Sequence, residues 1–172
     1  KQRGNDGERE TVEITRCVLA MTENLDRNVG RVLKRLDELK LSENTIVIYF
    51  SDNGPNSWRW NGGMKGRKGS TDEGGVRSPF MIRWPGRIPA GRVSNEIVHA
   101  ADLFPTFASL AGARVPTDRP IDGVDQSDFF LGKTDMSARE GILIYCADRL
   151  QAVKWRHYKV HFYNRRRWCR LR

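Results

Sequence analysis

The residues with the most chemical potential are Ser51-Asp52-Asn53-Gly54-Pro55. A carboxylate beside an amide carbonyl offers two hard oxygen donors, which suit Ca2+ or Mg2+ better than zinc or copper. Gly54 and Pro55 turn the chain sharply enough for both side chains to face one crevice. Asp, Asn, Gly and Pro also favour turns for purely local reasons, so the spacing alone leaves a metal site and a plain turn equally open. The following segment, Gly66 to Phe80, sets Lys68 in a loop rich in small residues, where its ammonium could meet a bound anion. An ordinary surface loop is the alternative, and the phosphate-loop pattern G-x-x-x-x-G-K-[ST] is not met between Gly62 and Lys68. Lys65 competes for the same role. Glu73 and Arg77 read as an ion pair or loop staple, and Trp58 and Trp60 as substrate contacts or as packing residues.

The surrounding elements say how such residues would be held. Residues 11 to 40 carry Ile14, Val18, Met21, Leu25, Val29, Val32, Leu36 and Leu39 at steps of three and four, the spacing of one helical face. Gly30 interrupts that helix at a cost of roughly 1 kcal/mol against Ala, which implies either close backbone packing or a tolerated defect. Thr45 to Phe50 (TIVIYF) is short, apolar and rich in β-branched and aromatic residues. Such a run predicts a strand buried on both faces, as in a parallel sheet between helix layers, and Asp52 and Asn53 then sit at its C-terminal end, where open α/β sheets bind ligands. A second strand is expected over Phe80 to Trp84, and a helix over Ala101 to Ala111 with Pro105 near its first turn. Three closely spaced β-like pieces, near Ile142–Cys146, Leu150–Trp155 and Tyr158–Phe162, predict an antiparallel meander.

The predicted fold class is therefore α/β: part of a mixed, mainly parallel sheet flanked by helices, followed by a small antiparallel C-terminal meander. The expected organisation is a polar segment over 1–10, an α/β portion over 11–135 and the meander with a basic tail over 136–172. Few other strands resemble TIVIYF, so the rest of such a sheet is expected upstream of Lys1.

The formal net charge of +9 is local. From Arg149 to Arg172 there are nine Lys or Arg and no Asp or Glu, while the remaining residues balance 21 acidic groups with as many basic ones. The body thus carries no electrostatic footprint for nucleic acid, although Arg165-Arg166-Arg167 could touch a phosphate. Cys17, Cys146 and Cys169 are scattered and form no CxxC spacing, so neither a zinc site nor a disulfide framework is indicated. No apolar run approaches the length of a membrane span, and the first ten residues do not resemble a signal peptide.

Three segments in order, ENTIVIYFSDNGP, GRKGSTDEGGVRSPFMIRWPG and DLFPTFASLAG, resemble the sulfatase family of the alkaline-phosphatase-like superfamily. Asn24 to Gly30 resembles that family's helix before the strand, and Asp148 to Trp155 is similar to the arylsulfatase C-terminal subdomain. The resemblance implies hydrolysis of a sulfate ester, an aryl sulfate or a sulfated sugar. It assigns Asp52 and Asn53 as ligands of a divalent cation, calcium or alternatively magnesium, and Lys68 as a sulfate contact. It also implies a formylglycine nucleophile made from a cysteine in a C-x-P-S-R or C-x-A-S-R motif. Cys17, Cys146 and Cys169 do not match, nor do His99, His157 and His161 match the family's active-site histidines. The expectation is therefore a C-terminal portion of a longer enzyme, catalytically inactive by itself, with an exported or lysosomal location implied by family alone. A phosphodiesterase or phosphonate hydrolase of the same superfamily is a second reading, and a noncatalytic remnant holding an acidic polymer through its basic tail a third.

Overall fold

The computed structural model describes residues 12–57 and 60–163. The polar segment 1–10, Trp58, Cys169 and the basic stretch Arg165 to Arg172 lie outside the described residues. The chain divides into two compact units, one ending at Pro85 and one beginning at Gly86.

In the first unit, helix α1 spans Val12–Glu38, as the three-and-four spacing predicts. Its ladder ends where Lys40 adopts a left-handed conformation (φ 57°) and Leu41 N–H bonds back to Leu36 O. None of its residues is buried, and Met21 and Val32 on its apolar stripe are 69% and 57% exposed. A Cβ placed on Gly30 would meet nothing within 4 Å, so that glycine is a tolerated defect and not a packing site.

Strand β1, Val47–Phe50, pairs antiparallel with β2, Phe80–Arg83, in the register Val47↔Arg83 to Phe50↔Phe80. A mainly parallel sheet and a strand buried on both faces were expected; the described residues show no parallel pairing, and β1 is only partly buried. Among the described residues the sheet has only these two strands, because the chain reverses through the long loop after β1 and returns alongside it. An apolar run alone does not distinguish the two pairings. With one hydrogen-bonded neighbour, β1 leaves Phe50 44% exposed, its ring 6.0 Å from that of Phe80. Trp84 Nε1 donates to Glu43 O at 2.9 Å and ties the end of β2 to the turn before β1. Within the loop lies one helical turn, α2, Glu73–Val76.

In the second unit, a 3-10 turn over Ala100–Asp102 leads into α3, Leu103–Leu110. Pro105 is its third residue and buried, where a missing N–H breaks no helical bond. After the short α4, Ser127–Phe130, the strands β3 (Gly141–Cys146), β4 (Arg149–Trp155) and β5 (Tyr158–His161) form the expected meander in the order β3-β4-β5. Ala147 and Arg156 take left-handed conformations in its two tight turns. Phe129, Phe130, Ile144 and Ala152 are the buried apolar residues among those described. Cys146 is disulfide-bonded, a link that the cysteine spacing did not indicate, whereas Cys17 is free and exposed.

Candidate functional site

The Asp52–Pro55 segment follows β1 directly and is fixed by its backbone. Ser51 N–H donates to Pro79 O at 3.4 Å, and Ser78 Oγ donates to Ser51 O at 2.6 Å, so the start of the turn hangs from the strand that returns beside it. Ser51 Oγ donates to Asn53 O at 3.2 Å and lies 3.5 Å from Asp52 Oδ1. Gly54 N–H then donates to Gly75 O at 3.0 Å, and Lys68 N–H to Pro55 O at 2.9 Å. The structure therefore brings together the two segments that the sequence singles out.

The closeness of that junction explains its glycines. A Cβ on Gly54 would sit 1.8 Å from Gly74 O, and one on Gly75 would sit 2.2 Å from Ser70 O. Gly66 has φ +85°, a conformation that L side chains rarely adopt. Among the described residues of the first unit, the buried ones are Gly54, Gly66, Arg67, Thr71, Gly74 and Gly75. The best-packed part of this unit is thus the clasp between two loops, and its strands are less buried.

The side chains with chemistry project from this clasp. Asp52 and Lys68 are exposed, and Asn53 is partly buried. Asn53 Nδ2 donates to Gly54 O at 2.8 Å, which holds the amide and leaves its Oδ1 as the available end. A carboxylate and an amide oxygen on successive residues are a donor set for a hard cation. They fit such an ion as part of a shell, because Ca2+ takes roughly six to eight oxygens. Among the described residues, no group of three or more His, Cys, Asp or Glu converges to hold a metal by itself.

The other residues named from sequence fall outside this arrangement or support it. Lys65 is exposed and contributes its carbonyl, which accepts from Gly74 N–H at 2.8 Å. Arg77 N–H donates to Glu73 O at 2.8 Å and closes α2, a backbone staple between these two residues. Trp60 is 81% exposed among the described residues. His157 and His161 are exposed on the meander. His99 caps the 3-10 turn, its Nδ1 accepting from Ala101 N–H at 3.1 Å.

Sequence reasoning missed a buried polar centre in the second unit. Asp102 is fully buried and accepts from His99 N–H at 2.8 Å, Val124 N–H at 2.9 Å and the Arg139 guanidinium. Burial pushes its carboxyl up, but hydrogen bonds from Arg139, Val124 and His99 and the guanidinium charge outweigh this and hold it below the usual carboxylate range. Thr106 Oγ1 donates to Asp102 O and accepts from Gln126 N–H, and Gln126 Oε1 accepts from Ser137 Oγ and Ala138 N–H. This network joins α3, α4 and the entry to β3. The available signal was an Asp just before an apolar helix, a capping position.

Comparison with known proteins places these features in a common frame. The model of the sulfatase family matches residues 1–113, and that of the N-sulphoglucosamine sulphohydrolase C-terminal region matches residues 68–169. The chain is 44% identical over 145 residues to N-acetylgalactosamine-6-sulfatase of Canis lupus familiaris, a match covering 81% of this chain and 27% of the relative. It is 44% identical over 143 residues to steryl-sulfatase of Mus musculus, covering 77% and 23%. The chain thus spans about a quarter of the length of the curated relatives it matches. Among solved structures, the PsFucS1 sulfatase from Pseudoalteromonas sp. superposes with a TM-score of 0.71 at 35% identity, covering 81% of this chain and 29% of that one. A protein solved in complex with its substrate D-glucosamine-2-N,6-O-disulfate gives a TM-score of 0.64 at 28% identity, covering 86% and 31%.

Proposed function

The chain belongs to the sulfatase family, and from that premise we propose that it supplies part of the active site of a sulfate ester hydrolase. Asp52 and Asn53 would hold a divalent cation, calcium or alternatively magnesium, together with ligands from elsewhere in the fold. Lys68 would contact the sulfate. The observation that carries this reading is the hydrogen bond from Lys68 N–H to Pro55 O, which anchors the base of the lysine to the Asp52–Pro55 turn.

A bound divalent cation supplies Lewis-acid stabilisation of the sulfate oxygens. The chain's own residues contribute position and charge. The clasp fixes the Asp52 and Asn53 backbone, so their oxygens need little reorganisation to receive a cation. The Lys68 ammonium, held on the adjoining segment, offers a positive charge where negative charge grows as the ester bond breaks, and removing one such preorganised group typically costs on the order of 10²–10³ in rate. Sulfated sugars and aryl or steryl sulfates are the two substrate classes to compare, since the similar proteins include N-acetylgalactosamine-6-sulfatase, one solved with a disulfated glucosamine, and steryl-sulfatase.

The test is calcium binding by titration calorimetry, with hydrolysis of an aryl sulfate and a sulfated monosaccharide measured in parallel. Asp52→Ala should abolish or strongly weaken calcium binding while the circular dichroism spectrum is kept. Unchanged calcium affinity in that variant would remove Asp52 from the metal site.

A further inference from the structure

Arg67 is assigned no role by the sulfate-contact reading, yet it is the most unusual side chain of the first unit. It is 5% exposed, a buried guanidinium immediately before the exposed Lys68. Its Nη1 donates to Asn56 O at 2.7 Å, across eleven residues of sequence. Lys68 N–H donates to Pro55 O at 2.9 Å. Two successive residues of one loop therefore grip two successive carbonyls of the other.

The rest of the Arg67 backbone serves the same end. Its N–H donates to Ser70 Oγ at 3.2 Å, and its carbonyl accepts from Ser70 N–H at 2.9 Å, closing a tight turn around Lys68 and Gly69. That turn packs against Gly75, whose added Cβ would lie 2.6 Å from Arg67 O. A turn carrying Gly66 at φ +85° and Gly69 at φ +81° has little rigidity of its own. The buried guanidinium gives it a fixed anchor on the segment that bears Asp52 and Asn53.

We propose that Arg67 is a positioning residue that sets the distance between Lys68 and the Asp52–Asn53 pair, and so tunes the affinity of the site for a sulfate group. This rests on the reading of Lys68 as the sulfate contact. A planar donor that reaches a backbone carbonyl suits this task, because a lysine there has neither the same fork nor the same stiffness. A misplacement of about 1 Å can cost on the order of 10² in a site of this kind.

The test is a double-mutant cycle read as the dissociation constant for inorganic sulfate, by titration calorimetry with calcium present. Lys68→Ala should weaken sulfate binding at least tenfold. Arg67→Met, which keeps most of the buried volume, should weaken it about five- to tenfold. In the Lys68→Ala background Arg67→Met should cost less than twofold more, since a positioning residue has nothing left to position. Arg67→Lys should recover at most part of the loss, and it carries the same comparison if Arg67→Met does not fold. Additive losses, or full affinity in both Arg67 variants, would overturn the positioning role while leaving Lys68 as the contact. If Lys68→Ala itself binds sulfate normally, the sulfate-contact reading falls and the role of Arg67 falls with it.

Discussion

Arg139 closes on Asp102 with its Nε 2.9 Å from both carboxylate oxygens and its Nη2 2.5 Å from Oδ1. The guanidinium also donates to Asp122 O at 2.6 Å, so one side chain spans the 3-10 turn before α3, the loop before α4 and the start of the meander. Asp102 is fully buried and the Arg139 side chain 14% exposed, which makes the pair an internal one. Removing one partner from such a pair strands the other charge, at a typical cost of about 3–5 kcal/mol. Arg139→Ala should therefore lower the urea midpoint severely or prevent folding of the second unit. A midpoint within experimental error of wild type would show that solvent reaches Asp102 and replaces the arginine.

The same carboxylate predicts a pH dependence with a definite sign. Its pKa in the folded protein lies below the ordinary value of about 3.9. The stabilisation it brings is complete above that ordinary value and is lost as pH falls through the lower, folded-state one. Asp125, lowered by hydrogen bonds from Ser109 and Ser127 against the opposing effect of burial, acts in the same direction. Thermal unfolding followed between pH 6 and pH 2, on the order of the carboxylate range, should give a falling midpoint at the acid end. Asp102→Asn should be less stable at neutral pH and should lose part of that acid slope. An unchanged slope would mean that other carboxylates govern the acid limb.

What could be read from the sequence, and what could not, follows from the range of the interactions. Helix α1 and the three meander strands announce themselves through short periods, three-and-four steps in one case and closely spaced β-like runs in the other. The pairing of β1 depends on Phe80, 30 residues away from Phe50, and an apolar run carries no information about the direction of its neighbour. Asp52, Asn53 and Lys68 stood out through ordered motifs, but the clasp that unites them rests on backbone donors and on Gly74 and Gly75, which no side-chain pattern reveals. Arg139 is silent in sequence for the same reason: its partner lies 37 residues earlier.

The glycines of the clasp and the glycine of α1 should respond oppositely to the same substitution. In Gly54→Ala the new methyl would meet a backbone oxygen 1.8 Å away, which can move only if the loops part. Overpacking of this kind typically costs about 1–3 kcal/mol, and here it should also weaken calcium and sulfate binding by separating the two segments. In Gly30→Ala the methyl enters open space within a helix, and stability should rise by up to about 1 kcal/mol. Chemical denaturation of the two variants side by side tests the contrast. A neutral Gly54→Ala would mean that the clasp opens readily, and the positional argument for Lys68 would lose its base.

The exposed side chains of the site should separate function from stability. Asp52 and Lys68 are both exposed, and the clasp holds them through main-chain atoms, so truncating either removes little packing. Substitutions at such surface positions usually stay within about 0.5 kcal/mol. Asp52→Ala and Lys68→Ala should therefore unfold at wild-type denaturant concentrations, the first deficient in calcium binding and the second in sulfate binding. Asn53→Ala should differ from both, because it also deletes the 2.8 Å hydrogen bond from Nδ2 to Gly54 O that braces the turn. It should lose calcium affinity together with a net hydrogen-bond contribution of about 1 kcal/mol. Equal stability in Asp52→Ala and Asn53→Ala would show that the amide serves the cation alone, while a large loss in Asp52→Ala would mark the aspartate as part of the scaffold.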